Sequence, residues 1–255
     1  MICEEKKKII VPNNSLLRPL YANIVNDANY AISELTELKC IDEINLNNFD
    51  LALVSPLIYS VISQKNDERI IASNVLVIED FSGELTINIV PNKDKLSTIF
   101  FEEVNEFTIV ATKLLLSERY GIEPQLVGNA AEADIILTRG NEKYDGYIKL
   151  DLTEDWFDTF EVPLVFGFWI VPNEKFDSDT VGQINSFLDK NILQTETIKS
   201  HSGDASDENN FERIGYKHWN WDSHFVDALE KTFDLLFYRN FASHIADVKI
   251  AQQQP

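Results

Sequence analysis

Residues 147–171 read YIKLDLTEDWFDTFEVPLVFGFWIV, and this stretch holds the alternation on which the fold turns. YIKLDL has the length of a short strand. LTEDWFDTF follows as one short helix, and Asp151, Glu154, Asp155 and Asp158 cluster at its start, where acids interact favourably with the helix dipole. VPLVFGFWIVP is apolar without alternation, which marks a buried strand. Strands alternating with helices imply an α/β fold on a mainly parallel sheet.

The same alternation extends outward in both directions. KKIIVP reads as a strand, residues 20–34 as a helix, DLALVS as a strand and residues 56–63 as a helix. IIASNVLVIED, GELTINIVP and TIFFEE are strand-like. FTIVATKLLLSERYG is an amphipathic helix ended by Gly121, with Pro124 just beyond. QLVG and ADIILTRG supply short strands ahead of the opening stretch. Beyond it, residues 178–192 read as a helix, and HFVDALEKTFDLLFYRNFASHI closes the chain with Phe225, Leu229, Phe233, Leu236 and Phe237 near helical spacing. TETIKSHSGDASDENN, within residues 194–210, is too polar to bury much surface and reads as a loop or frayed helix. In such a sheet, ligands sit beyond the carboxyl ends of the strands.

Composition narrows the function classes. The 255 residues are 44% hydrophobic, enough for one large domain or two small lobes. Forty-two acidic against 22 basic residues leave a net charge of -20, which repels nucleic acid and anionic membrane surfaces. The field also opposes small anions, but screening over about 8 Å lets a local arginine dominate inside a cleft. No stretch has the length of a membrane span, and MICEEKKKIIVPNN lacks the apolar core of a signal peptide, so a cytoplasmic location is expected. Cys3 and Cys40 are too few for a disulfide framework and read as ordinary thiols.

The usual chemical signatures are missing. Nine glycines form no GxGxxG, no GxxxxGK[ST] and no GxSxG, which disfavours nucleotide loops and the serine-hydrolase elbow. His218 and His224 are six apart and share no helical face, and no HExxH occurs, so neither a metal nor a cofactor is expected. Trp156, Phe157, Phe166, Phe168 and Trp169 read as core packing rather than an aromatic cofactor box.

Several stretches together resemble the chorismate dehydratase family of the futalosine route to menaquinone. Tyr147 to Val171 resembles its strand, acidic DL..EW helix, T-x-x-P turn and P-F-x-F-A-x-W strand; SLLRPLYANI resembles its Y-L-N-x-R-P-L loop; FDLALVSPLIYS resembles its D-x-A-L-V-S-S-x-E-Y element. Weaker likenesses follow at RIIAS, FTIVATKLLLSERYG and EADIILTRGN, and the likeness spans most of residues 9–192. It implies a periplasmic-binding-protein-like type II clamshell with mainly parallel mixed sheets. One lobe would comprise residues 1–88 plus 168–255 and the other residues 89–167, with GELTINIVP and VPLVFGFWIVP passing between them. The ligand would lie between the lobes.

The resemblance implies a carbon-oxygen lyase that eliminates water from chorismate to give the enolpyruvyl ether of 3-hydroxybenzoate. Departures fall at the site. Leu16 stands where the family has asparagine, and Ile87 where it has a serine, with Thr86 one place away. The expected substrate-binding set is Ser15, Arg18, Ser55, Thr86, Thr108 and Asn141. Arg18 reads as a bidentate carboxylate clamp or as a surface or interlobe ion pair. Ser55 and Thr108 read as helix caps or ligand donors, and Asn141 as a turn residue or a ligand contact. The alternative to a lyase is a non-catalytic paralogue that binds a small carboxylate or a pathway partner. Oligomeric state is left open.

Overall fold

Ile9, Ile10 and Val11 are buried in β1 (Lys7–Pro12), which pairs in parallel with β2 (Tyr30–Leu35) on one side and β3 (Leu51–Val54) on the other. A strand in such a position has no solvated face, and β3 is buried at all four of its positions, LALV. The intervening helices are α1 (Glu37–Asn45) and α2 (Pro56–Ile62), the latter opened by a proline whose missing N–H costs nothing there. These coordinates are a computed structural model that describes residues 6–140, 144–202 and 211–252; Cys3 and Asn141 lie outside them.

The chain continues through β4 (Glu68–Asp80), β5 (Leu85–Ile89), β6 (Thr98–Phe101), α3 (Glu106–Tyr120), β7 (Gln125–Leu126), β8 (Ile135–Arg139), β9 (Ile148–Asp151) and α4 (Leu152–Phe160). It then runs through β10 (Leu164–Pro172), α5 (Thr180–Asn185), β11 (Thr195–Ser202), β12 (Phe211–Asn220) and α6 (Phe225–Tyr238). One sheet has the order β11-β12-β4-β10-β3-β1-β2 and the other β7-β6-β8-β5-β9. Both are mixed. β10 runs antiparallel to β3, and β5 antiparallel to β8 and β9, while β6 is parallel to β7 and β8.

Two compact units result. The first comprises residues 1–77, 165–194 and 218–255, the second residues 78–164 and 195–217. β4, β10 and β12 each pass from one unit to the other within their length. VPLVFGFWIVP crosses the boundary between residues 164 and 165, whereas β5 of GELTINIVP sits inside the five-stranded sheet, paired on both sides, and β4 crosses between residues 77 and 78. Relative to the expected division at residues 88 and 167, residues 78–88 and 195–217 go with the second unit and 165–167 with the first.

Within the second unit, Asp151 is the hub. Its carboxylate caps α4 by accepting from the backbone N–H of Thr153 at 3.1 Å and of Glu154 at 3.2 Å, and from Thr153 Oγ1 at 2.8 Å. It also accepts from Ser82 N–H at 3.2 Å, Ser82 Oγ at 2.9 Å and Gly83 N–H at 2.8 Å, which fastens the turn between β4 and β5. The other acids of the cluster are equally engaged. Arg119, at the end of α3, pairs with Asp155 at 3.2 Å and Asp158 at 3.4 Å, and Tyr120 donates its hydroxyl to Asp155 at 2.9 Å. Burial, then Asp155, pushes the Tyr120 hydroxyl up to about 12. The acidic cluster therefore joins α3 to α4.

Residues 195–217 are fastened to the same unit by side chains distant in sequence. Arg213 donates from Nε to Glu154 Oε1 at 3.0 Å and from Nη2 to Glu154 Oε2, and its guanidinium lies 4.3 Å from the Phe81 ring centroid. Lys217 pairs with Glu84. Gly215 approaches Phe81 so closely that a Cβ there would lie 2.0 Å from the Phe81 carbonyl oxygen.

Three expected elements differ from what the chain forms. Residues 20–34 are not one helix: a 3-10 turn covers Arg18–Ile24, an Asx turn follows in which Asp27 Oδ1 accepts from Asn29 N–H at 2.9 Å, and β2 begins at Tyr30. Residues 178–192 keep helix only over α5. The polar stretch after Gln194 forms β11; its remainder, residues 203–210, lies outside the described residues. β2 and β11 are the two edges of the larger sheet; β11 carries the polar residues of a solvated strand, and β2 follows a stretch of apolar residues that suits a helix equally well.

One group in the first unit is buried at a cost. Glu68 opens β4 with 3% exposure, and its Oε2 has no hydrogen-bond partner among the described residues. Burial pushes its carboxyl up to about 7. With a folded pKa above the unfolded value, its contribution to stability is complete below about 4.5 and is lost as pH rises through about 7.

Two outcomes follow. Glu68→Gln raises stability by roughly 1–2 kcal/mol at mildly alkaline pH and changes little near pH 4.5, measured by urea melts at both values. An equal gain at both pH values would contradict the buried, titrating carboxyl. Gly215→Ala lowers stability by roughly 2–3 kcal/mol, because the atoms it meets are backbone and cannot rotate aside. An unchanged melting midpoint would mean that β12 does not close on Phe81.

Candidate functional site

In the first unit the candidate residues follow the carboxyl ends of β1 and β3. The chain leaves β1 and curls: Asn14 Oδ1 accepts from Leu16 N–H at 3.0 Å, and Asn14 O from Leu17 N–H at 3.0 Å. This curl turns Leu16 and Leu17 inward, to 7% and 0% exposure, and leaves Ser15 exposed. Leu17 fills the space over Gly167 of β10, where an added Cβ would lie 2.7 Å from its Cδ2. Leu16 thus serves the core where the resemblance expects an amide.

Arg18 opens the 3-10 turn, and its Nη1 pairs with Glu34 Oε1 on β2 at 3.3 Å, with the arginine side chain 54% exposed. Glu34 also accepts from the hydroxyl of Tyr21, which burial, then Glu34, pushes up to about 12. Of the readings weighed for Arg18, the structure displays an exposed ion pair, made within one unit. Ser55, 1% exposed, is the N-cap of α2, its Oγ accepting from Ile58 N–H at 3.3 Å.

Thr86 and Thr108 belong to the second unit. Thr86 is 4% exposed in β5, opposite Thr138 of β8 and Asp151 of β9. Two places on, and so on the same face, Asn88 donates its amide to Thr138 Oγ1 at 3.1 Å and to the Ile136 carbonyl at 3.1 Å. Ile87 faces the other way and is fully buried. Thr108 is not the cap of α3. Asn105 is, with its Oδ1 accepting from Thr108 N–H at 2.7 Å, and Thr108 sits in the first turn at 1% exposure. Asn105 in VNEFTI, three places before Thr108 and followed by Glu106, was the available cap signal. Asn141 lies outside the described residues.

Among the described residues the first unit holds two cavities of note, and none of the expected residues lines either. The smaller, about 310 Å³, gathers Lys6, Lys7, Lys8, Lys175 and Asp50, and three of these four lysines are engaged: Lys175 Nζ donates to Asp50 at 2.9 Å, Lys8 Nζ to Asn48 at 2.7 Å and Lys7 Nζ to Gln183 at 2.8 Å. The larger, about 710 Å³, is walled by Asn23, residues 72–74 of β4, parts of 185–194, and residues 220 and 221. Its lining is rich in carboxamides drawn from five separate places in the chain, so no sequence spacing could have announced it.

Among the described residues no group of three His, Cys, Asp or Glu side chains is placed to hold a metal, and no helix is long and apolar enough to cross a membrane. His224 Nδ1 lies 2.8 Å from Asp222 Oδ1, and His244 Nε2 lies 3.1 Å from Ser63 Oγ.

No family model and no curated protein matches the sequence. Solved structures do. A structural-genomics target protein from Archaeoglobus fulgidus superposes with a TM-score of 0.54 at 10% identity, over 93% of this chain and 99% of its own. An ABC transporter structure from Parabacteroides distasonis gives 0.53 at 10%, over 98% and 99%. The periplasmic aliphatic sulphonate binding protein SsuA from Escherichia coli gives 0.52 at 10%, over 98% and 95%. At such identity the likeness shows the fold alone. The chain has a two-lobed α/β fold with mixed sheets, of the periplasmic-binding-protein-like type II kind.

Proposed function

We propose that this protein is a non-catalytic relative of the chorismate dehydratases that binds a small organic carboxylate at the first loop of the first unit. The observation that carries the proposal is Leu16, an apolar side chain turned into the core where the resemblance expects the asparagine amide. Eliminating water from chorismate requires a proton to be taken from the ring and a hydroxyl to be expelled, so polar groups must act on the reacting atoms. Neither Leu16 nor Arg18 of the first loop can take that proton, and Ser15 contributes only a hydroxyl. Leu16 is apolar, Ser55 is spent as a helix cap, and Arg18 has no acceptor lone pair to serve as a base.

Arg18 suits binding better than catalysis. A guanidinium matches two carboxylate oxygens in one plane. Its present partner, Glu34, holds it through a solvent-exposed pair worth about 0–1 kcal/mol, so an incoming carboxylate can take over the arginine at little cost. That a structural neighbour is named for binding aliphatic sulphonates, which are small organic anions, supports the same ligand class.

The test is calorimetric titration with chorismate and with benzoate. We expect Arg18→Ala to weaken binding by about tenfold or more, and Glu34→Gln to strengthen it several-fold by freeing the guanidinium. Arg18→Ala that binds as well as wild type would overturn the assignment. Leu16→Asn restores the missing amide but not the rest of a dehydrating site, and is expected to give no aromatic product by chromatography. Wild-type turnover equal to that of a family member bearing the asparagine would show that the loop is catalytic after all.

A further inference from the structure

The 710 Å³ cavity of the first unit lies within the roughly 300–1,000 Å³ range of small-molecule pockets, and it has a polar floor built into the fold. Asn74 and Ser73 of β4 line it at 1% and 6% exposure. Burying polar side chains is costly unless they are partnered, and here the partners also set which way each amide presents itself. Asn74 Nδ2 donates to the Ile184 carbonyl at 2.7 Å, which leaves its Oδ1 to accept. Asn185 Oδ1 accepts from Ser73 Oγ at 2.7 Å, which leaves its Nδ2 to donate. Asn23 Nδ2 donates to the Ser186 carbonyl at 3.2 Å and to that of Leu188, leaving a second acceptor. Gln194 and Asn220 add two further amides at the wall, and Trp221, whose backbone N–H donates to the Ser73 carbonyl at 2.8 Å, adds a broad ring.

Oriented donors and acceptors with an indole among the lining side chains suit a ligand whose hydroxyls both give and take hydrogen bonds and whose ring has an apolar face. Charge argues against other classes. Among the described residues, the charged side chains at the wall are the adjacent Asp189 and Lys190, which cancel, and no guanidinium lines it to offset the repulsion of an anion by a chain of net charge -20. We infer that this cavity binds a neutral polyhydroxylated molecule of monosaccharide or disaccharide size, held by Asn23, Asn74 and Asn185 and stacked on Trp221. The site shares no residue with the carboxylate loop and does not rest on that reading.

Tryptophan fluorescence reports on it directly. Trp156 and Trp169 are fully buried and Trp219 is 4% exposed, whereas Trp221 is half-buried at the cavity wall. Titrating the protein with glucose, galactose, maltose and myo-inositol, and with gluconate and benzoate as anionic controls, is expected to give a saturable change in emission with at least one neutral compound. Calorimetry with that compound is expected to show about tenfold weaker binding in Asn185→Ala and in Trp221→Ala, both folded by circular dichroism, and unchanged binding in Arg18→Ala. Three results overturn the inference: no neutral compound binds at tens of millimolar, one binds equally well to both cavity variants, or only the anions change the emission.

Discussion

A single carboxylate decides how the second unit is assembled. Asp151 ends β9, starts α4 and closes the turn between β4 and β5, accepting from two hydroxyls and four backbone N–H groups. Half of those bonds satisfy the exposed amides and first turn of a helix, and half hold a turn from a part of the chain about 70 residues earlier. Without it, α4 would lose its cap and the passing strand β4 its fixed exit. The Arg119 and Arg213 pairs then attach α3 and the returning segment to the same helix, so the unit is organised around the ends of α4.

The parts of this architecture that could be read in the sequence are those written by burial. β10 is buried at every one of its nine positions, and the unbroken apolar run LVFGFWIVP states that openly. α3 is signalled by its apolar spacing and by Gly121, which adopts φ 63 as the left-handed residue past the last turn. The parts that could not be read are written by neighbours. β11 is a mostly polar edge strand and β2 an edge strand whose mixed residues suit a helix as well, and the allegiance of residues 195–217 depends on Glu154, Phe81 and Glu84 far away in sequence. The 3-10 turn at Arg18–Ile24 was hidden by apolar residues that suit a longer helix equally well.

The candidate site follows the same division. Ser55 was legible as a cap because a proline follows it directly, whereas Thr108 was assigned the role that Asn105 fills. Arg18 was legible as an important charge, but its partner Glu34 comes from β2, a strand the sequence concealed. In the proposed reading, the first loop presents a cation at Arg18 and an apolar side chain at Leu16, where the resembled family carries an amide. That combination favours holding a carboxylate over transforming one, since binding energy applied equally to ground and transition states accelerates nothing.

The most direct test of that claim is a proton nuclear magnetic resonance experiment on chorismate incubated with the protein. The account predicts that the chorismate signals broaden on addition of protein, showing exchange with a bound state, and that their areas stay constant over hours. Growth of aromatic signals from the enolpyruvyl ether of 3-hydroxybenzoate, at a rate proportional to protein concentration, would contradict it.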